Sequence, residues 1–195
     1  MKEPKTDRRI IRSKTLLKNA LRELMSRKKF KYITVKEISD LSTINRATFY
    51  KHYIDQHVLL ADVFREDFHH LLEERTKEMN KIDRKLLRQI ILVVSEFLSP
   101  SMQRYLSDHP SIIPLEQKMI QQAITIRLLH GMGAEYKTNG DLLRAKVKAA
   151  MAGWSIYAAV NQWLELLIEK KLDREDTSIE KFAENIIDPV LRLIK

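Results

Sequence analysis

Cysteine is absent from this chain of 195 residues, which excludes a disulfide framework, a thiolate zinc site and a cysteine nucleophile. Chain-breakers are scarce, with only 4 glycines and 5 prolines. So few of them over that length argue for helices joined by short loops rather than for a sheet-rich fold. No apolar run is long enough for a bilayer. The most apolar stretch, Ala149 to Val160, falls short of the roughly 20 residues a spanning helix needs. The start of the chain is charged and lacks the apolar centre of a signal peptide. A cytoplasmic protein with no membrane partner is expected. Nor does any glycine-rich phosphate loop, Ser-His-Asp order or paired buried carboxylate stand out, so no catalytic residue, no cofactor and no enzymatic activity are expected. Internal repeats and low-complexity segments are missing as well.

Hydrophobic residues make up 44% and charged residues 31%, ordinary values for a globular protein. The formal net charge of +9 is unevenly spread. Residues 1–60 hold 15 Lys and Arg against 6 Asp and Glu, and the remainder holds 20 of each. The whole excess sits in the first third. A basic module joined to a neutral one suggests a polyanionic partner, although a basic end can also serve solubility alone.

Periodicity then divides the chain. Residues 8–28 read as a helix with Ile11, Leu17, Leu21 and Leu24 on one face, Leu16 and Ala20 nearby, and Arg12, Lys14, Lys18 and Arg22 elsewhere. Thr34 opens a second helix, with Glu37 three residues on completing a capping box; Val35, Ile38 and Leu41 form its apolar stripe. After the turn Ser42-Thr43-Ile44, Asn45 can cap a short third helix, Arg46 to Tyr53, with Phe49 inward and Arg46, Thr48, Tyr50 and Lys51 outward. Asp55 can cap a longer fourth helix carrying Leu59, Leu60, Val63, Phe64, Phe68, Leu71 and Leu72 at helical spacing. Further helices are expected over about 83–99, stopped by Pro100; near 101–108; over 114–130, ended by Gly131 and Gly133; over 141–170; and over 178–194.

Two short helices joined by a tight turn and braced by a preceding helix make a helix-turn-helix. The first of the pair crosses the phosphate backbone, and the second offers its N-terminal side chains to base edges in the major groove. Those positions hold Asn45, Arg46 and Thr48. Arg can bond a guanine bidentately and Asn an adenine; Asn45 can equally be a plain helix cap. Tyr50, Lys51 and His52 suit phosphate contacts that set register, though charged residues on any helix face are solvated by default.

The run Phe30 to Leu60 resembles the DNA-binding domain of the tetracycline-repressor (TetR/AcrR) family of transcription regulators. The matching features are Thr34-Val35, Ile38, the Thr48-Phe49-Tyr50 centre of the recognition helix, Tyr53 and Leu59. The Asn45-Arg46-Ala47-Thr48-Phe49-Tyr50 form is similar to members found in low-GC Gram-positive bacteria. The resemblance covers residues 10–65, about a third of the chain, with several residue types at fixed offsets. It implies an all-α protein: a three-helix DNA-binding domain over 1–54, joined to a helical effector-binding and dimerisation bundle over 55–195. By position, it implies that Thr34, Tyr50 and His52 contact phosphates, and that Asn45, Arg46, Ala47 and Thr48 face bases or the adjacent backbone. Three residues depart from the pattern. Thr43 stands where the turn usually has Gly, and a β-branched residue at φ > 0 there would be strained. Ala47 replaces a common Gly, and Gln56 replaces the usual Lys at the start of the fourth helix.

The resemblance further implies a homodimer on a palindromic operator in double-stranded DNA, with repression the commoner mode and a small-molecule effector altering the spacing of the two DNA-binding heads. The last two long helices, rich in Ala149, Ala150, Ala152, Gly153, Ala158 and Ala159, would form the two-fold bundle; an ordinary intrachain core is the plainer reading of the same residues. Candidate effector-lining residues are Tyr105, Met119, Arg127, His130, Met151, Trp154 and Tyr157, although Met and aromatic residues at helical spacing also serve as core. His69 and His70 precede Glu73 and Glu74 by one turn, a spacing able to chelate a divalent cation. Charged helix faces produce such pairs routinely, and no metal is expected. Two rival readings remain at this stage: a helical enzyme, against which the localised charge speaks, and the same fold with a protein partner on the C-terminal domain.

Overall fold

In the computed structural model the described residues are 8–99, 112–133, 138–171 and 178–194. They are helical, with no strand among them: α1 (Arg8–Arg27), a 3-10 turn (Phe30–Tyr32), α2 (Val35–Ser42), α3 (Arg46–His52), α4 (Gln56–Thr76), α5 (Arg84–Phe97), α6 (Ile113–Met132), α7 (Asn139–Ile168) and α8 (Ile179–Ile194). The chain packs as two units, Met1–Glu66 and Asp67–Lys195. The expected segment near 101–108 lies outside the described residues.

In the first unit, α1 packs on α2 and α2 on α3. The core is Leu17, Leu21, Ile33, Ile38, Phe49, Leu59 and Leu60, each at most 1% exposed. Two residues assigned to it by periodicity lie outside: Ile11 is 53% and Leu41 38% exposed. On α1 the first buried position is Ser13, so the apolar face starts half a turn later than Ile11. On α2 the buried set is Ile38, Ser39 and Ser42, small polar residues taking the place offered to Leu41. Lys18 and Arg22 of α1 both pair with Glu66 of α4, each at 2.7 Å.

In the second unit α5 buries Leu86, Leu87, Ile90, Ile91, Val93 and Val94 and packs on α7 and α8. Asp83 caps it, accepting from the Leu86 N–H at 2.9 Å. The α6 helix runs past Gly131 and ends at Gly133, whose φ of 59° gives the left-handed stop. Gly131 is instead a packing residue: a Cβ there would come within 3.1 Å of Ile82 and 3.2 Å of Leu86. The long α7 helix has two apolar faces. Ala149, Ala152, Gly153, Ile156 and Val160 are buried, and Gly153 lets Thr125 and Ile124 of α6 approach within 3.4–3.5 Å of where its Cβ would stand. The smallest residues thus serve close packing within the chain. A second stripe, Leu143 (64% exposed), Val147 (49%), Met151 (50%) and Trp154 (46%), faces solvent. Finally, Trp163 of α7 stacks on Phe182 of α8 with ring centroids 5.5 Å apart.

Candidate nucleic-acid interface and ligand cavity

The α3 helix is held by its packed side. Phe49 is fully buried, edge-on to Tyr50 at 5.4 Å and tilted against Tyr53 at 5.9 Å. Tyr53 is anchored in turn, its hydroxyl donating to Asp62 Oδ2 at 2.7 Å; burial first, then Asp62, pushes that phenol's pKa up. With Phe49 inward, helical geometry turns Arg46, Ala47, Tyr50 and Lys51 outward, all of them exposed, with Thr48 half-buried. Neither Arg46 nor Lys51 has an ion-pair partner among the described residues.

Both helix starts are built as their sequences direct. Thr34 Oγ1 accepts from the Glu37 N–H at 3.3 Å while Glu37 Oε2 accepts from the Thr34 N–H at 3.0 Å, a complete capping box. Lys28 also bonds Glu37, and it is the leading cause that lowers this carboxyl to about 2. Asn45 Oδ1 accepts from the Ala47 N–H at 2.8 Å, so the side chain caps α3. Between them Thr43 takes φ 58° and ψ 21°, the left-handed region anticipated for a position that ordinarily holds Gly.

His52 is placed differently from its neighbours. Ser13 Oγ donates to the Ile10 carbonyl at 3.0 Å and lies 2.7 Å from His52 Nε2. Burial, then Lys14 and Lys51, holds the imidazole below its usual pKa. His52 therefore braces α3 against α1.

A shallow cleft of about 490 Å³ joins the two elements, lined by Lys31, Thr34, Lys36, Arg46, Tyr50 and Gln56 over Ile33 and Val35. It gathers three of the residues singled out in the sequence, Thr34, Arg46 and Tyr50. Lys31 and Lys36 were overlooked there. The signal for them was available, since Lys31 closes the basic run that begins at Arg27 and Lys36 lies within the capping box, between Thr34 and Glu37. Gln56, noted as a departure, sits in the same cleft.

The second unit holds a half-open cleft of about 320 Å³ between α4 and α6, lined by His69, Leu72, Glu73, Thr76, Lys77, Ala123, Ile126, Arg127 and His130. Of the seven effector candidates it brings together two, Arg127 and His130. Met119 is buried away from it, 7% exposed. Tyr157 is also buried, its hydroxyl 3.2 Å from Glu116 Oε2, and Met151 and Trp154 lie on the solvent-facing stripe. Tyr105 lies outside the described residues. The four-residue spacing noted for a metal gives one contact, His70 to Glu74 at 3.9 Å.

No family model matches the chain. An uncharacterized HTH-type transcriptional regulator of Bacillus subtilis (strain 168), YxbF, is 32% identical over 76 residues, 38% of this chain. That stretch spans 20% of the relative's length. Among solved structures, a TetR transcriptional regulator from Rhodococcus sp. RHA1 superposes with a TM-score of 0.57 at 16% identity, over 95% of this chain and 98% of that one. The chain has the TetR-regulator fold. A TetR transcriptional regulator from Streptococcus agalactiae 2603V is 20% identical over 94% of this chain and 96% of its own, with a TM-score of 0.48. In the TetR-type fold of this chain, the basic cleft and α3 occupy the first unit and the cleft at Arg127 the second. No helix among the described residues is long and apolar enough to cross a membrane.

Proposed function

We propose that this chain is a non-catalytic, cytoplasmic, ligand-responsive transcription regulator that represses by binding a palindromic operator as a homodimer. The observation that carries the reading is the outward set Arg46, Ala47, Tyr50 and Lys51, with Thr48 half-buried beside them, on a short helix pinned by a fully buried Phe49. In this reading Asn45 and Arg46 read base edges, with Ala47 and Thr48 against bases or the adjacent backbone. Thr34, Tyr50, Lys51 and His52, joined by Lys31 and Lys36, hold phosphates. Residues 1–54 serve DNA; residues 55–195 serve effector binding and dimerisation. The stripe Leu143, Val147, Met151 and Trp154 would be covered by a second copy, which sets two recognition helices about 34–36 Å apart on successive turns of one DNA face. An effector shifts the DNA-bound population only by the difference in its affinity for the two head spacings.

The test is selection of operators from a random duplex pool, followed by affinity measurements on selected and scrambled sites. Arg46→Ala should narrow the gap between the two by about 1–3 kcal/mol per half-site. Equal discrimination by wild type and variant would remove Arg46 from base reading.

A further inference from the structure

Resting on the reading of the first unit as a DNA-binding head, we infer that Arg8 and Arg12 of α1 form a second phosphate grip. It holds the strand that runs on the far side of α3 from the Lys31 and Lys36 cleft.

The recognition helix has two flanks. Residues one turn apart share a flank, so with Phe49 inward Arg46 and Tyr50 fall on one side and Thr48 and His52 on the other. The first side lines the basic cleft with Lys31 and Lys36. The second side meets α1. His52 Nε2 lies 2.7 Å from Ser13 Oγ, and the Lys14 ammonium stands 5.4 Å from the ring centre of Tyr53, the C-cap of α3. A helix lying in the major groove, about 12 Å wide, has a phosphate strand along each flank. The cleft serves one strand, and the start of α1 adjoins the place of the other.

Charge marks this part of α1 as the contact. Arg8 and Arg12 stand one turn apart, which puts both on one face of the helix, and both are exposed. Arg12 directly precedes Ser13, the residue against His52. With Arg9 they place three arginines within five residues, and the first turn of α1 contains no acid. Later cations of the same helix are neutralised within the molecule, Lys18 and Arg22 by Glu66 and Arg27 by Glu23. Neither Arg8 nor Arg12 pairs with a carboxylate among the described residues. The positive field here registers on a neighbour: after burial, Lys14 and Lys51 hold the His52 imidazole below its usual pKa. A phosphate strand, with one negative charge every 3.4 Å or so, complements such a face, and a guanidinium bonds phosphate oxygens in pairs.

The experiment follows the anisotropy of a labelled operator, selected from a random duplex pool, against salt concentration with the full-length protein. Arg8→Gln/Arg12→Gln keeps good helix formers at both positions. It should weaken binding and make the slope of log affinity against log salt shallower by about 1.8 per bound copy, two contacts at about 0.9 each. Its preference for selected over scrambled sites should stay within about twofold of wild type, because phosphates carry no sequence. Arg8→Lys/Arg12→Lys should retain most of the slope. Lys85→Ala/Lys118→Ala, which removes the same charge from exposed positions of the second unit, should leave the slope unchanged. A slope unaltered by the Gln variant, while Lys51→Ala still lowers it, overturns the second grip and leaves the regulator reading standing. An equal drop in the Lys85 and Lys118 variant overturns it as well, since net charge alone would then be at work. A Gln variant that loses binding to phosphatidylserine vesicles but not to duplex assigns the face to a membrane and overturns the inference. A wild type without salt-dependent duplex binding overturns the regulator reading and the grip together.

Discussion

Thr43 sits at φ 58° and ψ 21° because α2 must stop and reverse within a three-residue turn before Asn45. For an L-residue that conformation costs about 1–2 kcal/mol, and Gly there would recover part of it after its own entropy cost of roughly 0.5–1 kcal/mol. Thr43→Gly should therefore raise the unfolding free energy by about 0.5–1 kcal/mol in urea denaturation; a loss of stability would contradict the strain. This position was legible in the sequence, because turn chemistry depends on the residue itself. Glu116 was not singled out, although it recurs with Ile112, Ile120 and Ala123 on one helical face. It is 1% exposed. Burial pushes its carboxyl up to about 7, and Tyr157 alone opposes this. A carboxyl whose folded value lies above its unfolded one stabilises the fold fully below the unfolded value and loses that contribution as pH rises through the folded one. Glu116 should thus make the protein less stable as pH climbs from 4.5 to about 7. Glu116→Gln should flatten melting temperature against pH in that window and stabilise the protein at pH 8. An unchanged profile would show that the carboxyl is not desolvated.

At the scale of elements, caps and periods carried most of the information. Thr34 with Glu37, Asn45, Asp55 and Asp83 all close helix starts where their side chains allow it. Local chemistry decides such ends, so sequence reveals them. The capping box should be worth about 0.5–2 kcal/mol: Thr34→Ala should lower stability by that amount in denaturant, and Thr34→Ser should restore most of it. Equal stability of Thr34→Ala and wild type would mean the box contributes nothing. Which face an element buries was less legible. Ile11 and Leu41 satisfy the helical period yet stay exposed, since small Ser13, Ser39 and Ser42 fit the narrow contacts between α1, α2 and α3. The small residues of α7 show the same competition. Ala149, Ala152 and Gly153 lie against α6 and its neighbours, and the larger Leu143, Val147, Met151 and Trp154 take the outside. Gly131 was mistaken for a stop because its absent side chain serves packing rather than φ.

For the whole molecule, the uneven charge was the earliest signal, and the basic cleft lies in the unit that carries the excess. The α4–α6 cleft was legible only in part. Arg127 and His130 fall in one place because α6 lies along the end of α4, a long-range pairing that no local pattern encodes. Both the proposed phosphate grip and the proposed two-fold assembly meet in a single number. Each phosphate contact contributes about 0.9 to the slope of log affinity against log salt on duplex DNA. In a dimer every Lys51 is present twice. Fluorescence anisotropy of a labelled operator at several salt concentrations should give a steep negative slope for the wild type, and Lys51→Ala should make it shallower by about two contacts' worth, roughly 1.8. An unchanged slope would contradict the placement of α3 on DNA, and a change near 0.9 would contradict two copies at one operator.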